Sequence, residues 1–104
     1  MERKKTDYTS SCQQRILKVL LAMFGHEIDG LAPGQIAKLA EITPQEATRD
    51  IHNLVVAGYV EQVPHNGQYR VSPMLGRKAL AILHTIERAA QRVEETRNRY
   101  TRNA

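Results

Sequence analysis

Cysteine is nearly absent from this 104-residue chain. Cys12 stands alone, so no internal disulfide can form, and no second Cys or His lies at metal-ligand spacing from it. A reducing, cytoplasmic setting is the expectation, with Cys12 as a small packing residue of the first helix. Long hydrophobic runs are also missing. The longest, Val19 to Phe24, is too short to cross a bilayer, and Met1-Glu2-Arg3-Lys4-Lys5-Thr6-Asp7 contains no apolar segment of the kind an export signal needs. Neither export nor membrane insertion is expected. The 6 glycines act as punctuation, with no GxGxxG, P-loop or GxSxG among them. His26, His52, His65 and His84 are scattered without His-x-x-His or Glu-paired spacing. No cofactor, metal or enzymatic activity is therefore expected.

Charge is present but unevenly placed. The formal net charge is +4. Residues 1–24 carry five basic and two acidic groups, residues 25–43 one and three, residues 44–58 one and two, residues 59–73 one of each, and residues 74–104 seven and three. The termini are basic and the middle is not. A polyanionic partner is favoured, with phosphate neutralisation assigned more to the ends than to the centre.

The order of elements follows from hydrophobic spacing and stop signals. Residues 1–9 read as a flexible basic arm. From Ser10 or Ser11, the positions Ile16, Leu17, Leu20, Leu21 and Phe24 line one side of a helix ending at Gly25. A connector follows, in which Gly30-Leu31-Ala32 can pair as a short third strand. Ile36, Leu39 and Ala40 give the second helix its apolar face, and Ala37 is small enough for close helix crossing. Thr43 caps a third helix with Pro44 at its first position and Glu46 completing a capping box. Ala47, Ile51, Leu54 and Val55 form its buried stripe, and Gly58 is its left-handed stop. Tyr59–Val63 and Tyr69–Val71 then read as hairpin strands around Pro64, His65, Asn66, Gly67 and Gln68.

Two short helices, a glycine stop and a hairpin are the order of a winged helix-turn-helix. The expected fold is mostly α with a small antiparallel β-wing, followed by a long C-terminal helix. That helix runs through Arg77-Lys78-Ala79-Leu80 to about Tyr100, roughly 36 Å at about 1.5 Å per residue. Ala79, Leu83, Ile86, Ala90, Val93, Arg97 and Tyr100 repeat at steps of four and three, the rhythm of a paired helix. The division is a basic arm over 1–9, a winged helix-turn-helix over 10–73, and a dimerisation helix over 74–104.

From Gln14 to Pro73 the chain resembles the DNA-binding domain of IclR-type transcriptional regulators. The resemblance rests on Arg15-Ile16-Leu17-Lys18-Val19-Leu20, on Ile36-Ala37-Lys38-Leu39-Ala40, and on Arg49 before Ile51-x-x-Leu54-x-x-x-Gly58-Tyr59-Val60. Gly67-Gln68-Tyr69-Arg70-Val71 matches the second wing strand. Glu41 stands where the family's turn usually carries Gly, and Gln45-Glu46 replaces the Ser-Thr pair that usually opens the recognition helix. The family usually adds an effector-sensing domain after the linker helix. This chain ends before one, so the expectation is a short regulator of phage or mobile-element type, controlled by its concentration or a protein partner.

The function expected from this reading is sequence-specific binding of double-stranded DNA by a homodimer, with residues 44–57 as recognition helix and 59–71 as wing. Gln45, Glu46, Thr48, Arg49, His52 and Asn53 are the candidates for bases and adjoining phosphates. His65 and Asn66 lie at the wing tip. Thr43, Lys38, Arg70 and the Arg3-Lys4-Lys5 arm are candidates for the phosphate backbone. Ala79, Leu83, Ile86, Ala90, Val93 and Tyr100 are the candidate dimer contacts. The alternative is a winged-helix adaptor that binds another protein without reading sequence.

Overall fold

The computed structural model describes residues 6–102 and divides into two compact units, 1–72 and 73–104. The first contains α1 (Ser11–Ala22), α2 (Pro33–Ala40), α3 (Pro44–Val56), β1 (Val60–Gln62) and β2 (Tyr69–Val71); the second is α4 (Pro73–Thr101). The architecture is a winged helix-turn-helix with a C-terminal helix.

Ser10 caps α1, its hydroxyl accepting from the Gln13 amide at 3.3 Å. The inward ridge differs from the expected one. Val19 and Met23 are completely buried, Ile16 and Leu20 are half-buried, and Leu17, Leu21 and Phe24 are exposed. Arg15, Val19 and Met23 are spaced four apart, so they share a face. A reading by apolar residues alone misses a ridge whose first member is charged. Cys12 is exposed rather than packed, and α1 stops at Ala22, before the expected Gly25.

In α2, Ile36, Ala37 and Ala40 are buried, whereas Leu39, expected on that face, is 52% exposed. The Gln35 side chain accepts from the Ala32 amide at 2.9 Å and ties down the helix start. Glu41 ends the helix in the left-handed region, φ 57° and ψ 49°. A side chain there costs roughly 1–2 kcal/mol relative to glycine's freedom, and Lys18 lies 3.6 Å from its carboxylate.

The capping box of α3 is closed both ways. The Glu46 amide donates to Thr43 Oγ1 at 3.1 Å, and the Thr43 amide donates to Glu46 Oε1 at 3.0 Å. Ala47, Ile51 and Leu54 are buried as expected; Val55 is not, and Asp50 takes the inward place. At the far end Gly58, φ 83°, lets the Tyr59 amide reach back to the Leu54 carbonyl at 2.9 Å.

The hairpin pairs Val60 with Val71 and Gln62 with Tyr69, antiparallel. Its strands have three residues each, so Tyr59 and Val63, expected in the first strand, fall outside β1. The third strand is a single bridge: Leu31 and Tyr69 exchange backbone bonds of 2.8 and 2.9 Å. Gly30, φ 72°, bends the chain into that bridge and Pro33 starts α2 two residues after it, leaving room for one paired residue. Val19, Met23, Ile36 and Val63 are fully buried at the centre of this unit, each stabilising it by about 1.5–3 kcal/mol.

The second unit is one helix of 29 residues, roughly 43 Å long at about 1.5 Å per residue. It begins at Pro73 rather than after Gly76, since proline at the first position needs no amide partner. Gly76 is absorbed into its first turn. No described residue of α4 is buried. Among the described residues, no helix is long and apolar enough to cross a membrane.

Candidate nucleic-acid interface

With Ala47, Asp50, Ile51 and Leu54 turned inward, α3 turns Gln45, Thr48, Arg49, His52 and Asn53 outward. This is the 3.6-residue period at work. These five side chains do not stand alike. Thr48 Oγ1 donates to the Pro44 carbonyl at 2.9 Å, and the Asn53 amide donates to the Arg49 carbonyl at 2.9 Å, so both return to their own helix. Gln45, Arg49 and His52 have no side-chain partner among the described residues.

Glu46 is differently committed. Its Oε1 closes the capping box and its Oε2 lies 3.2 Å from Arg15 Nη1. Hydrogen bonding from the Thr43 backbone and side chain, joined by the Arg15 charge, holds its carboxyl below the usual glutamate range.

Beside the outward ridge lies an open groove of about 280 Å³, lined by Pro33 of α2, Thr48, Ile51, His52 and Val55 of α3, and Gln62 and Tyr69 of the hairpin. Its lining mixes apolar Pro33, Ile51 and Val55 with polar Thr48, His52, Gln62 and Tyr69 and contains no Lys or Arg. A shallower hollow at Pro44, Gln45, Thr48 and Arg49 marks the N-terminal end of the same helix.

The wing groups are drawn back onto the 26–30 loop. Asn66 Nδ2 donates to the Asp29 carbonyl at 2.9 Å while its Oδ1 accepts from the Gln68 amide at 2.9 Å. His65 Nε2 lies 3.8 Å from the Asp29 carboxylate. Arg70 binds its cross-strand partner Glu61 through Nε at 2.8 Å and Nη2 at 2.7 Å, and its Nη1 reaches the Glu27 and Ile28 carbonyls at 3.4 and 3.5 Å. Lys38 is exposed on α2 with no ion pair among the described residues. Arg3, Lys4 and Lys5 lie outside the described residues.

No family model matches the chain, and no curated protein matches it. Solved structures do. The crystal structure of an IclR family transcriptional regulator from Brucella abortus superposes with a TM-score of 0.62 at 25% identity, over 81% of this chain and 32% of that one. An IclR transcriptional regulator from Silicibacter sp. TM1040 gives a TM-score of 0.60 at 26% identity, over 80% of this chain and 33% of that one. The chain has the IclR-family winged helix-turn-helix fold. It spans about a third of the length of each of these regulators.

Within this IclR-type fold, one constellation escapes a motif-based reading. Arg15 Nε and Nη2 each lie 2.8 Å from a different oxygen of Asp50, and Nη1 lies 3.2 Å from Glu46. Asp50 is 3% exposed. The side-chain hydrogen bond to Asp50 raises the guanidinium pKa above its ordinary value. The available signal is small: an aspartate in phase with Ala47 and Leu54, and an arginine in phase with Val19 and Met23. Among the described residues, no group of three or more His, Cys, Asp and Glu side chains could hold a metal ion.

Proposed function

We propose that this chain is a cytoplasmic, sequence-specific DNA-binding transcriptional regulator acting as a homodimer, with residues 44–57 as recognition helix and the hairpin 59–71 as wing. The observation that carries the reading is the outward ridge of α3, where Gln45, Arg49 and His52 are exposed and their side chains have no partner among the described residues, in an IclR-type fold. A helix carrying such groups fits the major groove, where arginine pairs with guanine O6 and N7 and glutamine with adenine. Thr48 and Asn53 extend the same face.

Glu46, Thr43, Asn66 and Arg70 act in this proposal chiefly by shaping the recognition surface, because their polar atoms already hold protein partners. His65 lies beside the DNA at the wing tip. Phosphate contacts fall to Lys38, to the amides at the start of α3, and to the 1–9 arm with Arg3, Lys4 and Lys5. The exposed apolar positions of α4 support dimerisation through Ala79, Leu83, Ile86, Ala90, Val93 and Tyr100. The division into an arm, a domain over 10–73 and a helix over 74–104 belongs to the same proposal.

A second reading, a protein-binding adaptor, draws support from the lack of net positive charge over residues 44–73, where Arg49 and Arg70 stand against Glu46, Asp50 and Glu61 and Glu61 neutralises Arg70. One experiment separates the two. Binding is measured to a library of random duplexes across a salt series, for the whole chain and for a chain lacking residues 1–9. Regulator behaviour is a selected sequence whose affinity falls with salt; no duplex retained at any salt sinks the proposal in favour of the adaptor.

A further inference from the structure

We infer that Arg15 is a positioning residue for the recognition helix: its fork on Asp50, with the third contact on Glu46, fixes the rotation and axial register of α3. The inference rests on the proposal that α3 reads DNA, but its geometric half stands without it. Three observations support it.

The first is directionality. Arg15 meets Asp50 through two separate nitrogen–oxygen pairs of 2.8 Å, which requires the guanidinium and carboxylate planes to be aligned. Its third nitrogen reaches Glu46 at 3.2 Å, one helical turn earlier on α3. Two anchor points one turn apart resist both rotation of the helix about its axis and sliding along it.

The second is the weakness of the apolar alternative. The inward stripe of α3 is Ala47, Ile51 and Leu54, with Asp50 among them. The N-terminal half of the helix, next to outward Gln45 and Arg49, therefore presents only the methyl of Ala47. Small apolar contacts fill space but do not define register; a bidentate ion pair does.

The third is energetic. Replacing a buried ion pair by well-packed apolar groups is often neutral or stabilising, so a pair at an Asp50 3% exposed is a poor device for stability alone. Its distinctive product is a single helix pose. Because Glu46 also closes the cap at Thr43, the same contact joins the start of α3 to α1.

The test compares the wild-type chain with the apolar double variant Arg15→Met/Asp50→Leu and with Arg15→Lys, which keeps the charge but lacks the fork. Melting is followed by circular dichroism. The pose of α3 is followed by nitrogen-15 relaxation dispersion at the Ala47, Ile51 and Leu54 amides, which senses exchange between poses on the microsecond-to-millisecond scale. DNA reading is followed as the affinity ratio between the selected duplex and a scrambled one at fixed salt. The expected result is a double variant that melts within a few degrees of wild type, shows exchange across α3 and loses at least about tenfold in that ratio, equivalent to about 1.4 kcal/mol. Arg15→Lys is expected to show exchange as well.

A folded double variant with flat dispersion overturns the inference, as does an Arg15→Lys chain as quiet as wild type, because charge alone would then set the pose. If the wild-type chain selects no duplex, the regulator proposal fails, and the dispersion measurement alone decides the positioning role.

Discussion

Arg15 on α1 grips Asp50 on α3 through two hydrogen bonds of 2.8 Å, across 35 residues of sequence. Removing only one partner differs from removing both. Arg15→Ala leaves the carboxylate of Asp50, 3% exposed, without its counter-charge, and such an orphan is among the most costly single changes. The expected outcome is a fall in Tm of about 10 °C, with Asp50→Leu in the same chain recovering most of it. A Tm for Arg15→Ala within about 2 °C of wild type would show that the pair carries no structural weight.

Gly30 and Gly25 both have positive φ, 72° and 95°, yet they predict different outcomes on substitution. A Cβ on Gly30 would meet the Tyr69 carbonyl oxygen at 2.7 Å, whereas one on Gly25 meets nothing within 4 Å. Gly30→Ala must therefore push the loop from β2 and weaken the Leu31–Tyr69 bridge, for a loss of about 2 kcal/mol or more. Gly25→Ala meets only backbone strain, about 1 kcal/mol. Urea unfolding of the two variants side by side measures the difference; equal losses would contradict it.

Glu46 gives the chain a defined acid sensitivity. Its carboxyl is held below the ordinary glutamate range, first by the Thr43 backbone hydrogen bond and then by the Thr43 side chain. Because the folded pKa is the lower one, this stabilisation is complete above the unfolded value of about 4.3 and disappears as pH falls through the folded value. Glu46→Gln removes the charge while keeping an amide oxygen for the cap. Its Tm is expected to lie below wild type at neutral pH and to converge with it as pH falls through the folded value of the Glu46 carboxyl. A constant gap from neutral to acid pH would assign the effect to packing.

The places where sequence reading succeeded and failed have a common physical cause. Thr43, Pro44, Glu46 and Gly58 were legible because caps and stops are local: each works through a backbone group within a few residues. The mispositioned faces of α1 and α2 were not. Leu17, Leu21 and Leu39 obey helical spacing as well as the buried Val19, Met23 and Ile36, and only the neighbouring helices decide which set turns inward. Asp50 was missed for a related reason: a buried carboxylate becomes affordable only when Arg15 arrives from another helix. The wing was legible as a hairpin through Asn66-Gly67, but the withdrawal of His65, Asn66 and Arg70 onto residues 26–30 depends on a loop distant in sequence. Under the proposed function, that withdrawal leaves base reading to the outward face of α3, led by Gln45, Arg49 and His52.

Arg49 and Arg70 accordingly predict opposite signatures in DNA binding. Arg49 has no partner among the described residues, while Arg70 is held by Glu61 at 2.7 and 2.8 Å. If Arg49 meets a phosphate, Arg49→Ala reduces the slope of log affinity against log salt by about one; if it meets a guanine, discrimination at one position relaxes by about 1–3 kcal/mol. Arg70→Ala is expected to loosen the hairpin, seen as faster amide exchange at Glu61 and Tyr69, with the salt slope kept. A slope lost with Arg70 and kept with Arg49 would move the charged contact to the wing.

The helix α4 supplies the last prediction, because its apolar side chains lack the burial that would account for them. Leu83, Ile86 and Val93 are 54, 57 and 67% exposed and follow the four-and-three spacing begun at Ala79. Two alanines and Arg97 in that series make a weak isolated zipper, and Arg97 lies 3.6 Å from Glu94 rather than in an apolar seam. If the helix pairs with a second copy, its central turn should matter most. Ile86→Asp places a charge in the seam of both copies and should convert the dimer to monomer in sedimentation at micromolar concentration, while circular dichroism keeps the melting of the winged-helix unit. Truncation after Leu83 should give the same monomer. A dimer that survives both changes would place the interface outside α4 and leave its exposed Leu83, Ile86 and Val93 to another partner.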